Sequence, residues 1–110
     1  MDRLGMLEKM VAAKPGDPFP RYGLAMEYKK LGRNDDAAQA FVALAEHHPD
    51  YVPGYLMHGN LLEAMGRGSD AVSVYERGLA VASAASDEHA ASELSSALAS
   101  ALAAAQDASS

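Results

Sequence analysis

A period of 34 residues constrains this chain more than any other feature it carries. A shift of 34 positions lays Leu31-Gly32-Arg33-Asn34-Asp35-Asp36-Ala37 over Met65-Gly66-Arg67-Gly68-Ser69-Asp70-Ala71. Upstream, Leu24, Ala25 and Tyr28 fall on His58, Gly59 and Leu62. Downstream, Phe41 falls on Tyr75 and Ala45 on Leu79, and the same shift places Pro15 on Pro49 and Leu7 on Phe41. A fixed period of this length marks a repeat array, in which each unit buries its apolar face only against its neighbours.

The spacing inside each unit predicts a helical hairpin. Leu24, Tyr28 and Leu31 recur at intervals of four and three, the stripe of a helix with one buried face. Gly32 follows the stripe, where a left-handed residue can cap a helix C-terminus. Asn34, Asp35 and Asp36 then offer an N-cap and first-turn acids to the next helix. That second helix carries Ala37, Phe41, Leu44 and Ala45 on one face and runs to His48, where Pro49 blocks continuation. Gly66, Ser69 and Asp70 repeat the device. Small residues at Ala25, Ala37, Gly59 and Ala71 let the two helices of each hairpin approach, with Phe41 and Tyr75 filling the space beside them.

These residues resemble the tetratricopeptide repeat family. Arg21-x-x-Leu24-Ala25-x-x-Tyr28, then Ala37-x-x-x-Phe41, then Pro49 follows its signature, with Arg21 where an aromatic is usual and Ala25 where Gly is common. The second unit, Tyr55-x-x-His58-Gly59-x-x-Leu62 and Ala71-x-x-x-Tyr75, restores the aromatic and the Gly. It places His58 in a core slot and Ser83 where Pro is expected. The resemblance covers residues 18 to about 83 directly. It implies an all-α fold, a right-handed α-solenoid of antiparallel helix hairpins.

The flanks extend the pattern. Residues 1–14 match only the second helix of a unit, with Leu4, Leu7, Met10 and Val11 apolar. Arg3 stands where Ala37 and Ala71 stand later, as expected if no upstream hairpin mate demands a small residue. At the other end, Leu94, Ser95 and Leu98 align with His58, Gly59 and Leu62 when the shift is 36, so two residues are inserted near Ala82 to Ser86. The Ala-rich segment from about Asp87 to Ala105 reads as the first helix of a further unit, its Leu94, Leu98 and Leu102 stripe covering the stack. The expectation is six helices, with two full units flanked by half-units, in one domain over 1–106 and a frayed tail over 107–110.

Charge and composition exclude several functions. Of the net −6, residues 1–77 carry −2 and residues 78–110 carry −4, with no Lys or Arg after Arg77. Each phosphate contact needs a cation, so neither nucleic acid nor an anionic membrane surface is an expected partner. The chain has no Cys, hence no disulfide, thiolate zinc site or thiol nucleophile. Its start offers no secretory leader, and the uncharged run Leu94 to Gln106 falls well short of the roughly 20 residues of a membrane span, which points to the cytoplasm.

Catalytic and metal constellations are likewise missing from the sequence. Gly66-Arg67-Gly68-Ser69 lacks the spacing and Lys-Ser/Thr ending of a phosphate loop and is explained as an interhelix turn. Adjacent His47 and His48 point about 100° apart on a helix and suit a C-terminal dipole better than one shared ion. His89 and Glu93 have the spacing of a side-chain contact. No enzyme activity, cofactor or metal is expected.

The resemblance implies that first helices line a concave face. Helical spacing sets Phe19, Tyr22, Met26 and Lys29 opposite the buried stripe of one first helix, and Leu56, Asn60 and Glu63 opposite that of the next. The alignment adds Ser92, Ser96 and Ala99. Such a groove, apolar at one wall and small and polar at the other, suits an extended or helical peptide anchored at Tyr22 and Met26. The cations Lys29, Lys30, Arg33 and Arg67 are accounted for by helix C-terminal dipoles. The expected role is a non-catalytic protein-interaction scaffold binding a peptide or partner protein. The alternative is a self-assembling structural protein that dimerises through the apolar face of the first helix, at Leu4 and Leu7.

Overall fold

The computed structural model describes residues 2–109, and side chains over 2–107. Among them are six α-helices and no strand, in two compact units. Unit 1, Met1–Tyr51, holds α1 (Arg3–Ala13), α2 (Pro18–Lys30) and α3 (Asn34–His47). Unit 2, Val52–Ser110, holds α4 (Val52–Ala64), α5 (Gly68–Ala84) and α6 (Glu88–Ser109). Within unit 1, α2 packs on α3 and on α1; within unit 2, α5 packs on α4 and on α6, and α6 also touches α4. No helix among the described residues is long and apolar enough to cross a membrane.

Chain punctuation follows the repeat. Gly32 and Gly66 take φ of +76° and +75°, the left-handed region that costs a residue with a Cβ. The reversal satisfies the orphan carbonyls at the end of each first helix. Gly32 N donates to Lys29 O (3.1 Å) and Arg33 N to Tyr28 O (2.9 Å); Gly66 N and Arg67 N do the same towards Glu63 O and Leu62 O. A third copy of this cap ends α5, with Ser86 at φ 58° in place of Gly and Asp87 N donating to Ala82 O at 2.9 Å. This is what the two inserted residues build. Where α3 stops before Pro49, α5 runs on to Ala84 and turns on Ser86.

Helix starts differ in part from expectation. Asp2, Asp17 and Asp87 cap α1, α2 and α6 with carboxylates that accept from Gly5 N, Phe19 N and Ala90 N. Asn34 is not a cap. It is the first residue of α3, and Arg33 precedes it without a capping bond. Arg33 instead donates from Nε to Asp36 Oδ2 at 2.9 Å, and 34 residues on Arg67 Nε donates to Asp70 Oδ2 at the same distance. Both pairs are about half exposed, so each is worth at most about 1 kcal/mol.

The core is the small-and-large alternation read from the repeat. Ala25, Ala37, Phe41 and Leu44 in unit 1, and Leu61, Leu62, Ala71, Tyr75 and Ala82 in unit 2, are almost wholly buried. In unit 2 the fit is tight. A Cβ on Gly59 would collide with the Tyr75 ring at Cε1, and one on Gly78 would lie 2.5 Å from Tyr55 Cβ. Two stripe residues depart from expectation: Leu31 and Leu102 are 53% and 46% exposed. Leu31 has become the C-cap of α2. On α6 the fully buried side chains are Leu94 and Ala101, seven residues or two turns apart, which rotates Leu102 away from the core. The frayed tail expected over 107–110 is helical as far as Ser109; residue 110 lies outside the described residues.

Candidate functional site

Unit 1 contains a cleft of about 680 Å³ between α1 and α2. Its walls are built by helical spacing. Leu7 and Met10 come from α1, three residues apart; Phe19, Tyr22 and Met26 come from α2 at intervals of three and four. The helices approach closely because α2 carries Gly23 there, and a Cβ on it would sit 3.2 Å from Leu7 Cδ2. Leu7, one of the two residues expected on a dimer face, is therefore only 7% exposed, its side chain packed on Gly23, and Leu4, the other, is half-buried. Phe19 and Met10, by contrast, are 69% and 45% exposed at the cleft mouth.

Tyr51 supports the aromatic wall from outside the cleft. Its ring lies edge-on to Phe19 at 6.1 Å and tilted against Tyr22 at 5.5 Å. Burial raises the Tyr22 phenol above its ordinary pKa. Burial first, then the charges of Tyr22 and Asp17, do the same for Tyr51, so both hydroxyls stay protonated as donors across neutral pH. At the rim, Arg3 Nε meets Glu27 Oε1 at 3.1 Å, tying α1 to α2, and Lys30 adds a second cation.

The structure thus brings three of the four groove residues expected on α2 into one apolar cleft, with Leu7 beside them. Lys29 is half-buried and does not line it; Lys30 does. Met10, Gly23, Glu27 and Tyr51 were not singled out for this site. The signal for Gly23 was present, since a glycine inside a helical stripe marks a close approach. Arg21, at the position where an aromatic is usual, buries Nε without a hydrogen-bond partner, as His48 does Nε2.

The remaining expected residues lie in unit 2. Leu56 is half-buried; Asn60, Glu63, Ser92 and Ser96 are exposed. Asn60 and Glu63 each approach the Tyr75 hydroxyl, Oδ1 and Oε1 both standing 2.6 Å away. A phenol has one proton, so it donates to one oxygen at a time; the second contact is completed when the Asn60 amide turns its NH₂ to the phenol oxygen. Burial, the hydrogen bond to Glu63 and the Glu63 charge, in that order, raise the Tyr75 pKa. These two polar residues therefore anchor the hairpin as well as facing solvent. His58 is half-buried in its core slot. Burial, then Arg67 and Arg77, lower its pKa to about 4, so it is neutral at pH 7. His89 Nε2 lies 3.0 Å from Glu93 Oε1, and His47 Nδ1 lies 2.9 Å from Ala43 O. No group of three or more metal-ligating side chains occurs among the described residues.

No protein-family model matches the chain. It is 32% identical over 88 residues to a TPR repeat-containing protein of Pseudomonas aeruginosa, a match covering 80% of this chain and 84% of that protein. The solution structure of a tetratricopeptide repeat domain protein from Salinibacter ruber is 39% identical, with a TM-score of 0.75 over 79% of this chain and 88% of that one. The TPR2B domain of yeast Sti1, solved as a complex with pHsp70, is 16% identical and shares the fold, with a TM-score of 0.81 over 89% of this chain and 78% of that one.

Proposed function

The chain belongs to the tetratricopeptide repeat family, and from that premise we propose that it is a non-catalytic protein-interaction module whose unit 1 cleft takes a helical or extended segment of a partner protein. The cleft itself carries this reading. It sets two aromatic rings and two methionines around one opening of about 680 Å³, within the size range of binding clefts. Apolar anchors at i, i+3 and i+7 along α2 are the pattern into which an amphipathic segment lays its own apolar face. Methionine adapts to side chains of different shape, and the Tyr22 hydroxyl adds a donor that fixes orientation. Exposed apolar surface gathered at one mouth is the usual mark of an interaction site. That a relative in fold was solved with pHsp70 bound is consistent with peptide binding, while the residues that would do it here are this chain's own.

The test is capture of partners from the native cell by the tagged chain and by Tyr22→Ala with Met26→Ala. Truncating a buried anchor typically costs about 2 kcal/mol, some thirtyfold in affinity, so the double variant should capture nothing above background. Capture undiminished in a variant with native helix content rejects the cleft.

A further inference from the structure

We propose that the partner seated on α1 is α6 of a second copy of this chain, so that two copies complete one more helical hairpin between them, head to tail. The inference rests on the cleft reading above and names the occupant.

Register is the first argument. The 34-residue shift makes α1 a second helix, equivalent to α3 and α5. The 36-residue shift makes α6 a first helix, equivalent to α4, and the starts of α4 and α6, Val52 and Glu88, are 36 apart. Among the described residues α1 packs on the first helix α2 that follows it but has no first helix before it as a hairpin mate, and α6 has no second helix after it. The slots that α5 covers on α4 are Tyr55, Gly59 and Leu62, all buried; on α6 they are Ala91, Ser95 and Leu98, where Ser95 is exposed and the others half-buried. The slots that a first helix covers on α3 include Phe41 and Leu44, each 1% exposed; on α1 they are Leu7 and Met10, and Met10 is 45% exposed.

Size complementarity is the second argument. Two close contacts define the α4–α5 hairpin: Tyr75 on Gly59, and Tyr55 on Gly78. Carried to α6 and α1, these become Leu7 on Ser95 and Ala91 on Met10. In the first pair the knob shrinks as the hole fills. In the second the large partner moves to the other helix. Both pairs stay close to one large and one small side chain, which is what a second helix at hairpin distance requires. Arg3, in the slot of Ala37 and Ala71, is held towards α2 by Glu27. In unit 2 the first helices α4 and α6 touch; a first helix seated on α1 would meet α2 in the same way, over Phe19, Tyr22 and Met26.

Charge is the third. Helix α6 carries Glu88, Glu93 and Asp107 and no Lys or Arg, whereas the receiving unit sets the cations Lys9 on α1, Lys14 at its C-cap and Lys30 at the cleft against the acid Glu8, with Arg3 and Glu27 paired to each other. The register that sets Ala91 on Met10 brings Glu88 to the Lys14 end of α1. A head-to-tail contact of this kind is heterologous, so it leaves one unused α1 and one unused α6 at the ends and continues with concentration.

Sedimentation velocity on the full chain, from about 10 µM to about 1 mM, reads this directly. The mean mass should climb above the 11.5 kDa of one chain. Met10→Glu on α1 and Ser95→Glu on α6, both at exposed positions, should each weaken association at least about tenfold. Mixed together, the two variants should form a complex of two chains and stop there, because the mixture keeps one intact α6 and one intact α1. Loss of association in Met10→Glu with none in Ser95→Glu would mean that α1 pairs with α1, and overturns the proposal. A native chain that stays monomeric throughout also overturns it. In that case Tyr22→Ala with Met26→Ala still decides the cleft reading, through capture of other proteins.

Discussion

Gly59→Ala tests the packing rule on which the repeat depends. The new methyl would clash with the edge of the Tyr75 ring, which is fully buried and therefore has no solvent to move into. Its hydroxyl is moored to Asn60 and Glu63 on the same helix as Gly59, so swinging the ring aside also breaks those bonds. Overpacking a filled site costs about 1–3 kcal/mol, and a lost hydrogen bond adds about 1 kcal/mol. Alanine recovers up to about 1 kcal/mol through its better helix propensity. The net expectation is a loss of about 2 kcal/mol, which for a unit of this size lowers Tm by about 10 °C. Urea and thermal unfolding followed by circular dichroism at 222 nm measure it. Gly68→Ala is the control, because nothing lies within 4 Å of its Cβ, and it should be neutral or stabilising. In a Tyr75→Leu background the cost of Gly59→Ala should fall by at least about 1 kcal/mol, since the obstructing ring is gone. A Gly59→Ala chain as stable as the native one would refute the argument that ring and glycine are locked together.

Two further outcomes follow from caps and charge. Ser86→Gly should stabilise the chain by about 1 kcal/mol, because Ser86 holds φ 58° where Gly32 and Gly66 do the same work without a Cβ; chemical unfolding checks it, and a destabilised variant contradicts the cap assignment. Folded His58 takes up a proton only near pH 4, while in the unfolded chain it does so near 6.5, so between those values the unfolded state binds more protons. Its contribution is complete above pH 6.5 and is lost as pH falls through about 4. Allowing for partial exposure this amounts to on the order of 1–2 kcal/mol. His58→Gln should flatten the fall in unfolding free energy between pH 7 and pH 4, and an unchanged slope assigns the fall to other groups.

Hairpins, breaks and small-residue slots were legible because each is written locally. Gly32 and Gly66 stand where only a left-handed residue serves, and Ala37, Phe41, Ala71 and Tyr75 repeat at the spacing of one helix face. What stayed illegible depended on side chains choosing among partners. Asn34 has the chemistry of a cap, but Arg33 reaches Asp36 first in the turn, and the helix starts one residue earlier than a capping Asn allows. Leu102 lies at helical spacing from Leu98, but Ala101 is the residue turned inward. Of the cleft, the α2 wall was readable from periodicity. The α1 wall and the support of Tyr51 required knowing which helix lies beside which.

The departures from the repeat are more informative than its matches. A repeat unit inside an array is bound to one size rule, because each face must fit two neighbours; a unit at the boundary of the described array is released from it on one side. Arg3 replaces Ala, Met10 replaces Leu44 and Gly78, and Ser95 replaces Gly59 on the sides of α1 and α6 that the array leaves uncovered. Random drift on solvent-facing surfaces would favour polar residues on both. Instead α1 carries Met10, 45% exposed, and α6 carries half-buried Ala91 and Leu98 and exposed Leu102, with Met10 and Ala91 opposed large to small in register. Apolar surface kept in water costs solubility and gains nothing for a lone chain. Its retention in matched register on the two helices is what a joint between copies requires.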